Sequence, residues 1–83
     1  MSGTTHWVAP SAAEDLLAAA RRPGVAEPTE IHVRAALHLQ LLREPGAPVV
    51  VDEARGTSDL DGIRLVVDDG LPACPGYEIH RAA

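Results

Sequence analysis

The fold is decided by residues 30–44, which read EIHVRAALHLQLLRE. Apolar side chains alternate with polar ones through most of this stretch, and only Ala36 interrupts the polar set. Successive side chains of a strand point to opposite faces, so the spacing predicts one apolar and one polar face. In a helix, the same polar residues would be scattered around the axis. The alternation therefore favours a strand, and the high content of Ala and Leu leaves a second helix as the alternative.

The segment before this stretch predicts a helix over residues 11–22. Ser11 and Glu14 have the spacing of a capping box, in which each side chain satisfies a backbone N–H at the helix start. The interior is rich in Ala and Leu, which are strong helix formers. Pro23 and Gly24 follow directly and predict the end of the helix.

Residues 1–10 predict an extended N-terminal arm, ahead of a single small domain over residues 11–83. The arm begins with Ser, Gly and Thr and carries Trp7, the only indole of the chain. We expect Trp7 to pack against the chain's own core. The alternative is that it docks on a partner, because exposed Trp is enriched at interaction hot spots.

Short strands are predicted after residues 30–44. Residues 44–48 contain two prolines and a glycine and indicate a turn. Apolar runs over 49–51, 63–67 and 77–80 predict strands, with a polar loop over 54–62. The expected fold is therefore α+β, with one N-terminal helix packed on a three- to four-stranded antiparallel meander.

Length and charge limit the classes of function. A chain of 83 residues has a thin core, and its single cysteine, Cys74, excludes an intramolecular disulfide. The net charge of −5 argues against binding of nucleic acid through bulk electrostatics. The sequence has no apolar run long enough for a membrane span and no signal-peptide pattern, which predicts a cytoplasmic protein or one within a particle assembled there.

The predicted polar face is the strongest candidate for a binding surface. As a strand, residues 30–41 would present His32, Arg34, His38 and Gln40 together, while the opposite face packs on the helix. With Trp7, these four residues form the predicted partner-binding set, for a protein partner or for self-association.

Metal and catalytic sites are not predicted. Acidic pairs end two strands, Asp52 with Glu53 and Asp68 with Asp69, but antiparallel neighbours would place them at opposite ends of the sheet. His32 and His38 would lie roughly 20 Å apart on a strand, too far to bind one ion. His80 could approach one of them across the sheet, although a solvated histidine face is expected. Cys74 has no second cysteine at metal or redox spacing, so no cofactor and no catalytic residue are predicted.

Two local resemblances add hypotheses. Residues 61–72, DGIRLVVDDGLP, resemble a strand-and-turn segment of bacteriophage capsid proteins. The order of a helix followed by strands, with Asp61 to Asp68 as a D-G-x-R-x-x-V-D-like segment, is similar to the A-type iron–sulfur carriers. That family binds its cluster through three cysteines, and Cys74 does not match their motif.

The leading hypothesis is a non-enzymatic protein–protein interaction module, a small structural or accessory subunit of a larger assembly such as a phage particle. One alternative is a winged-helix-type regulator that binds nucleic acid, which requires residues 30–44 to be a helix. The other is a degenerate metal or iron–sulfur carrier that uses Cys74 and histidine.

Overall fold

The computed structural model describes residues 11–82, which fold into two helices and a five-stranded sheet. The chain is therefore an α+β protein, with a helix at the start of the described part as predicted. Its elements, in order, are α1 Ala12–Ala20, β1 Pro28–Val33, α2 Ala35–Arg43, β2 Val49–Asp52, β3 Thr57–Leu60, β4 Ile63–Val67 and β5 Tyr77–Arg81.

The sheet is mixed, with the strand order β2-β3-β4-β1-β5. β1 pairs in parallel with β4 and antiparallel with β5, while β2, β3 and β4 form an antiparallel run. The prediction of an antiparallel meander of three or four strands is thus wrong. The cause is the connection between β1 and β4, because α2 and the β2–β3 pair make it long enough for the crossover that parallel strands require.

Residues 30–44 contain the end of a strand and a helix. β1 ends at Val33, the backbone of Arg34 is extended, and α2 begins at Ala35. The loop after β4 supports this change, since the Ala35 N–H donates to Asp69 Oδ1 over 2.8 Å and the Arg34 guanidinium donates to the carbonyls of Asp69 and Leu71. Neither the continuous strand nor the continuous helix is correct, because the helix start is held by residues distant in sequence.

Both helices cover the same face of the sheet. The buried core contains, from the helices and from β1, β3 and β4, Ala13, Leu16, Ala20, Ile31, Val33, Leu41, Leu60, Ile63 and Leu65. Within α2, Leu41 is fully buried and Leu37 lies one turn earlier against the core, whereas Leu39 and Leu42 are exposed. The alternating leucines thus belong to two sides of a helix and not to one face of a strand.

β3 lies within residues 54–62, where a polar loop was expected. Ser58 and Leu60 of this strand are buried, and an Asp61–Gly62 turn connects β3 to β4. Both turn residues have positive φ, 47° at Asp61 and 87° at Gly62, as the tight primed hairpin turns require. Arg21 pairs with the Asp61 carboxylate and donates to its carbonyl, which joins this turn to the end of α1.

The N-terminus of α1 has two caps. The Ser11 hydroxyl accepts the Glu14 N–H over 3.1 Å, so this half of the predicted capping box is confirmed. Glu44, just after α2, accepts the Ser11 hydroxyl at 2.8 Å and the Ala12 N–H at 2.7 Å. These hydrogen bonds lower the pKa of Glu44. The carboxylate therefore satisfies backbone donors at the start of α1 and connects the two helices.

We expect E44Q to lower the melting temperature by roughly 4 to 8 °C near neutral pH, as loss of a charged helix cap does. Since the folded pKa of Glu44 lies below its ordinary value of 4.5, this stability is present above that pH and disappears as the pH falls through the folded pKa. Thermal melts of both proteins at decreasing pH should therefore converge in acid. The control is E53Q, which changes an exposed glutamate after β2. A difference in melting temperature between E44Q and wild type that stays the same at every pH would contradict the mechanism.

The predicted N-terminal arm, with Trp7, lies outside the described residues. Its anchoring role stays a prediction. Among the helices of residues 11–82, none is both long enough and apolar enough to cross a membrane.

Candidate functional site

The sheet face opposite the helices carries a polar cluster that we call the open-face cluster: Glu30, His32, Glu78 and His80. Strand register builds it, because Glu30 of β1 pairs with His80 of β5 and His32 pairs with Glu78. The pair between them, Ile31 and Ile79, points to the helix side. The described residues place no second layer over this face.

The sequence signal for this cluster is a repeated tripeptide. Glu-Ile-His occurs at residues 30–32 and again at 78–80. The two copies pair antiparallel around Ile31 and Ile79, so each glutamate lies opposite the other copy's histidine. This repeat produces local pseudo-two-fold symmetry. An approach of His80 to another histidine across the sheet was foreseeable from the sequence, whereas Glu30 and Glu78 become recognisable only when the two strands are compared.

The two imidazole rings stack on each other. Their centroids are 3.9 Å apart and their planes differ by 12°. His32 Nε2 lies 2.7 Å from Glu30 Oε1, and His80 Nε2 lies 2.7 Å from Glu78 Oε1. An ionised carboxylate only accepts hydrogen bonds, so both Nε2 atoms donate. Each histidine is thus held by the glutamate two residues earlier on its own strand.

The surroundings of the pair are negative. The hydrogen bond to Glu30 raises the pKa of His32, against partial desolvation, and the charges of Glu30, Asp68 and Glu78 act in the same direction. The same hydrogen bond lowers the pKa of Glu30. Asp68 Oδ2 lies 3.8 Å from His32 Nδ1, on the side of the ring away from Glu30. The site therefore favours the protonated, positively charged form of His32.

Three of these side chains have ligand atoms close together. One atom each from Glu30, His32 and His80 lies within 4.8 Å of the other two, and this is the sole group of three or more such residues within 11–82. The side chain of His32 is 19% exposed, and those of Glu30 and His80 are both 39% exposed. The cluster is accessible from solvent and is held on two paired strands.

The predicted polar face does not exist as one surface. His32 lies on the open face, Arg34 lies at the β1–α2 junction, and Gln40 lies on the exposed side of α2. His38 is on the helix side of the sheet, with its Nε2 2.9 Å from the hydroxyl of buried Ser58. The grouping of these four residues is wrong because the chain changes from strand to helix after Val33.

The two edge strands of the sheet differ in the charge and polarity of their side chains. β2 forms one edge and exposes Val50 by 68% and Val51 by 51%. β5 forms the other edge and carries Glu78, His80 and Arg81. Charged residues protect an edge against pairing with another chain, and β2 has a charge only at its last residue, Asp52.

Comparisons with models of protein families, with curated proteins and with solved structures found no significant match. Neither local resemblance gains support from these comparisons.

The acidic pairs at the strand ends have local roles. β2 and β4 both run antiparallel to β3, so their acids lie at the same end of the sheet and not at opposite ends as predicted. A strand lies between them, however, which separates them by roughly 10 Å. Asp52 accepts from the Arg55 N–H, and Asp68 accepts from the Gly70 N–H. Cys74 is exposed in the loop before β5 and is not part of the ligand group.

Proposed function

We propose that this chain is a non-enzymatic protein–protein interaction module that associates with a second copy of itself through β2. The observation that carries the proposal is the exposure of Val50 and Val51 on an edge strand. An edge strand offers unpaired backbone N–H and C=O groups, which another strand can satisfy. The new backbone hydrogen bonds provide affinity, and the valines become buried.

The size of the chain supports self-association. A domain this small has little apolar core, and oligomerisation is one way to add buried area. Antiparallel pairing of β2 with its copy gives a closed, two-fold symmetric contact, in which the same strand acts on both sides. Asp52 would lie at the ends of such a ladder, and its carboxylate already faces Arg55 at 3.8 Å. Repulsion between the two copies is therefore small at this edge.

We expect V50K to weaken self-association at least tenfold, because a lysine on an edge strand disfavours strand addition. The measurement is absolute mass by light scattering after size exclusion, over a range of concentrations. Wild type should approach the mass of a dimer as concentration rises, and V50K should stay monomeric. V25K changes an exposed valine outside the sheet and should behave as wild type. A monomeric wild type at every concentration would refute the proposal, as would a V50K protein that dimerises normally.

The setting we propose is an accessory subunit of a larger assembly such as a phage particle. Self-association through an edge strand is compatible with such a role. The segment with the capsid-like sequence forms the Asp61–Gly62 turn and β4. The winged-helix alternative requires a helix throughout residues 30–44, and β1 occupies the first part of that range. The carrier alternative requires Cys74 among the ligands, and the described ligand group does not include it.

A further inference from the structure

We propose that Glu30, His32 and His80 bind one Zn²⁺ ion per chain on the open face of the sheet. The donor set carries this inference. Two imidazole nitrogens and one carboxylate oxygen are ligands that suit zinc, whereas magnesium and calcium prefer oxygen alone. The three ligand atoms already lie within 4.8 Å of one another.

Zinc binding requires the two stacked imidazole rings to rotate out of their present arrangement, because the lone pair of each ring nitrogen lies in the plane of its own ring. Zinc binds nitrogen and oxygen at about 2.0 to 2.2 Å, so ligand atoms in a tetrahedral site are about 3.3 Å apart. The present separations, within 4.8 Å, shorten to that value when the His80 ring tilts away from the His32 ring, and Glu30 and His80 are exposed enough to rotate. The backbones that carry them are paired strands, β1 and β5, which fix the starting positions. Three protein ligands leave the fourth position open to water.

Neighbouring carboxylates support the metal-bound arrangement. If His80 binds the ion through Nδ1, its Nε2 hydrogen keeps the present contact with Glu78, 2.7 Å away. If His32 binds through Nε2, its Nδ1 lies 3.8 Å from Asp68 Oδ2, which must move closer before it accepts a hydrogen bond. Carboxylates of this kind fix the tautomer and orientation of metal-binding histidines. The repeated Glu-Ile-His tripeptide thus supplies the three ligands and one neighbouring carboxylate, Glu78, while Asp68 comes from the residues after β4.

A bound cation also offsets the negative charge of the carboxylates around the cluster. Three carboxylates, from Glu30, Asp68 and Glu78, surround the two rings. One divalent ion held by the rings places positive charge among these carboxylates.

The test is calorimetric titration of the metal-free protein with zinc chloride. We expect one ion per chain for wild type, and a loss of at least tenfold in the association constant for each of H32Q and H80Q. The matched control is H38Q, which changes a histidine on the other side of the sheet and should bind as wild type. E78Q keeps the ligands and removes a support, so we expect a severalfold loss. Circular dichroism of each metal-free variant verifies that it is folded.

A second measurement separates this site from the proposed β2 interface. The visible spectrum of bound Co²⁺ reports its coordination, and in the V50K background it should show the same four-coordinate site as in wild type. Absence of zinc binding by wild type would overturn the proposal, as would unchanged binding by H32Q and H80Q. Loss of binding in V50K would show that the ion is held between two copies, which would overturn the site within one chain.

Discussion

Replacement of Ile31 by alanine should remove a large part of the free energy of unfolding of the protein. Ile31 lies in β1, the strand between β4 and β5, and it is completely buried. Truncation of a buried isoleucine to alanine costs about 2 to 5 kcal/mol, because apolar burial is lost and a cavity remains. A domain of this size has roughly 4 to 12 kcal/mol of stability in total. The loss therefore consumes much of that stability.

Urea unfolding followed by circular dichroism measures this effect. I31V removes one methyl group from the same site and should cost about 0.5 to 1.5 kcal/mol. V67A, at the exposed end of β4, should change the free energy of unfolding by less than about 0.5 kcal/mol. If I31A unfolds at nearly the same urea concentration as wild type, β1 does not occupy the centre of the core.

Replacement of Arg81 should cause the second large loss in the free energy of unfolding. It lies at the end of β5, and its guanidinium donates to the carbonyls of Ala20, Ala26 and Ala19 at 2.7, 2.9 and 3.0 Å. The last turn of α1 has no basic residue of its own. Arg81 thus satisfies carbonyls at the end of α1 and places positive charge where the helix dipole favours it. R81M keeps much of the apolar stem and should cost about 2 to 3 kcal/mol.

R81K is the matched comparison. A lysine ammonium has charge but lacks the planar fork that reaches several carbonyls together, so we expect an intermediate loss. Denaturant unfolding measures the free energy of unfolding of each variant, and hydrogen exchange shows which part of the chain is destabilised. Amides of α1 should exchange faster in R81M, while those of β3 change only through global stability. Equal stability of R81M and wild type would show that these hydrogen bonds contribute nothing.

Local patterns predicted part of the fold. The α1 helix was predictable because Ser11, the Ala and Leu interior and Pro23 act within one segment. β4 was predictable because it is an apolar run that ends at acidic residues. The helix α2 was not, because its start depends on Asp69, which the fold brings from far along the chain. The Asp61–Gly62 dipeptide between Leu60 and Ile63 is a hairpin signal, but it was assigned to a polar loop.

The candidate site was predictable only in fragments. His32 was identified on a polar strand face, and an approach by His80 was considered. Arg34, His38 and Gln40 were grouped with them through a strand that ends at Val33. Composition does not reveal the cross-strand partner of His32, because register depends on the pairing of β1 with β5. The repeated Glu-Ile-His tripeptide was the available sign, and only the register explains its meaning.

The position of β1 in the sheet has a consequence for synthesis on the ribosome. Both neighbours of β1 are encoded after it, and β5 is the last strand of the described chain. While the nascent chain grows, β1 emerges with its backbone unpaired and its apolar side chains uncovered. Pairing between segments so far apart in sequence is slow compared with local helix formation. The protein therefore completes its native structure only after residues 77–81 have left the exit tunnel, and until then β1 is open to chaperones and to mispairing with other chains.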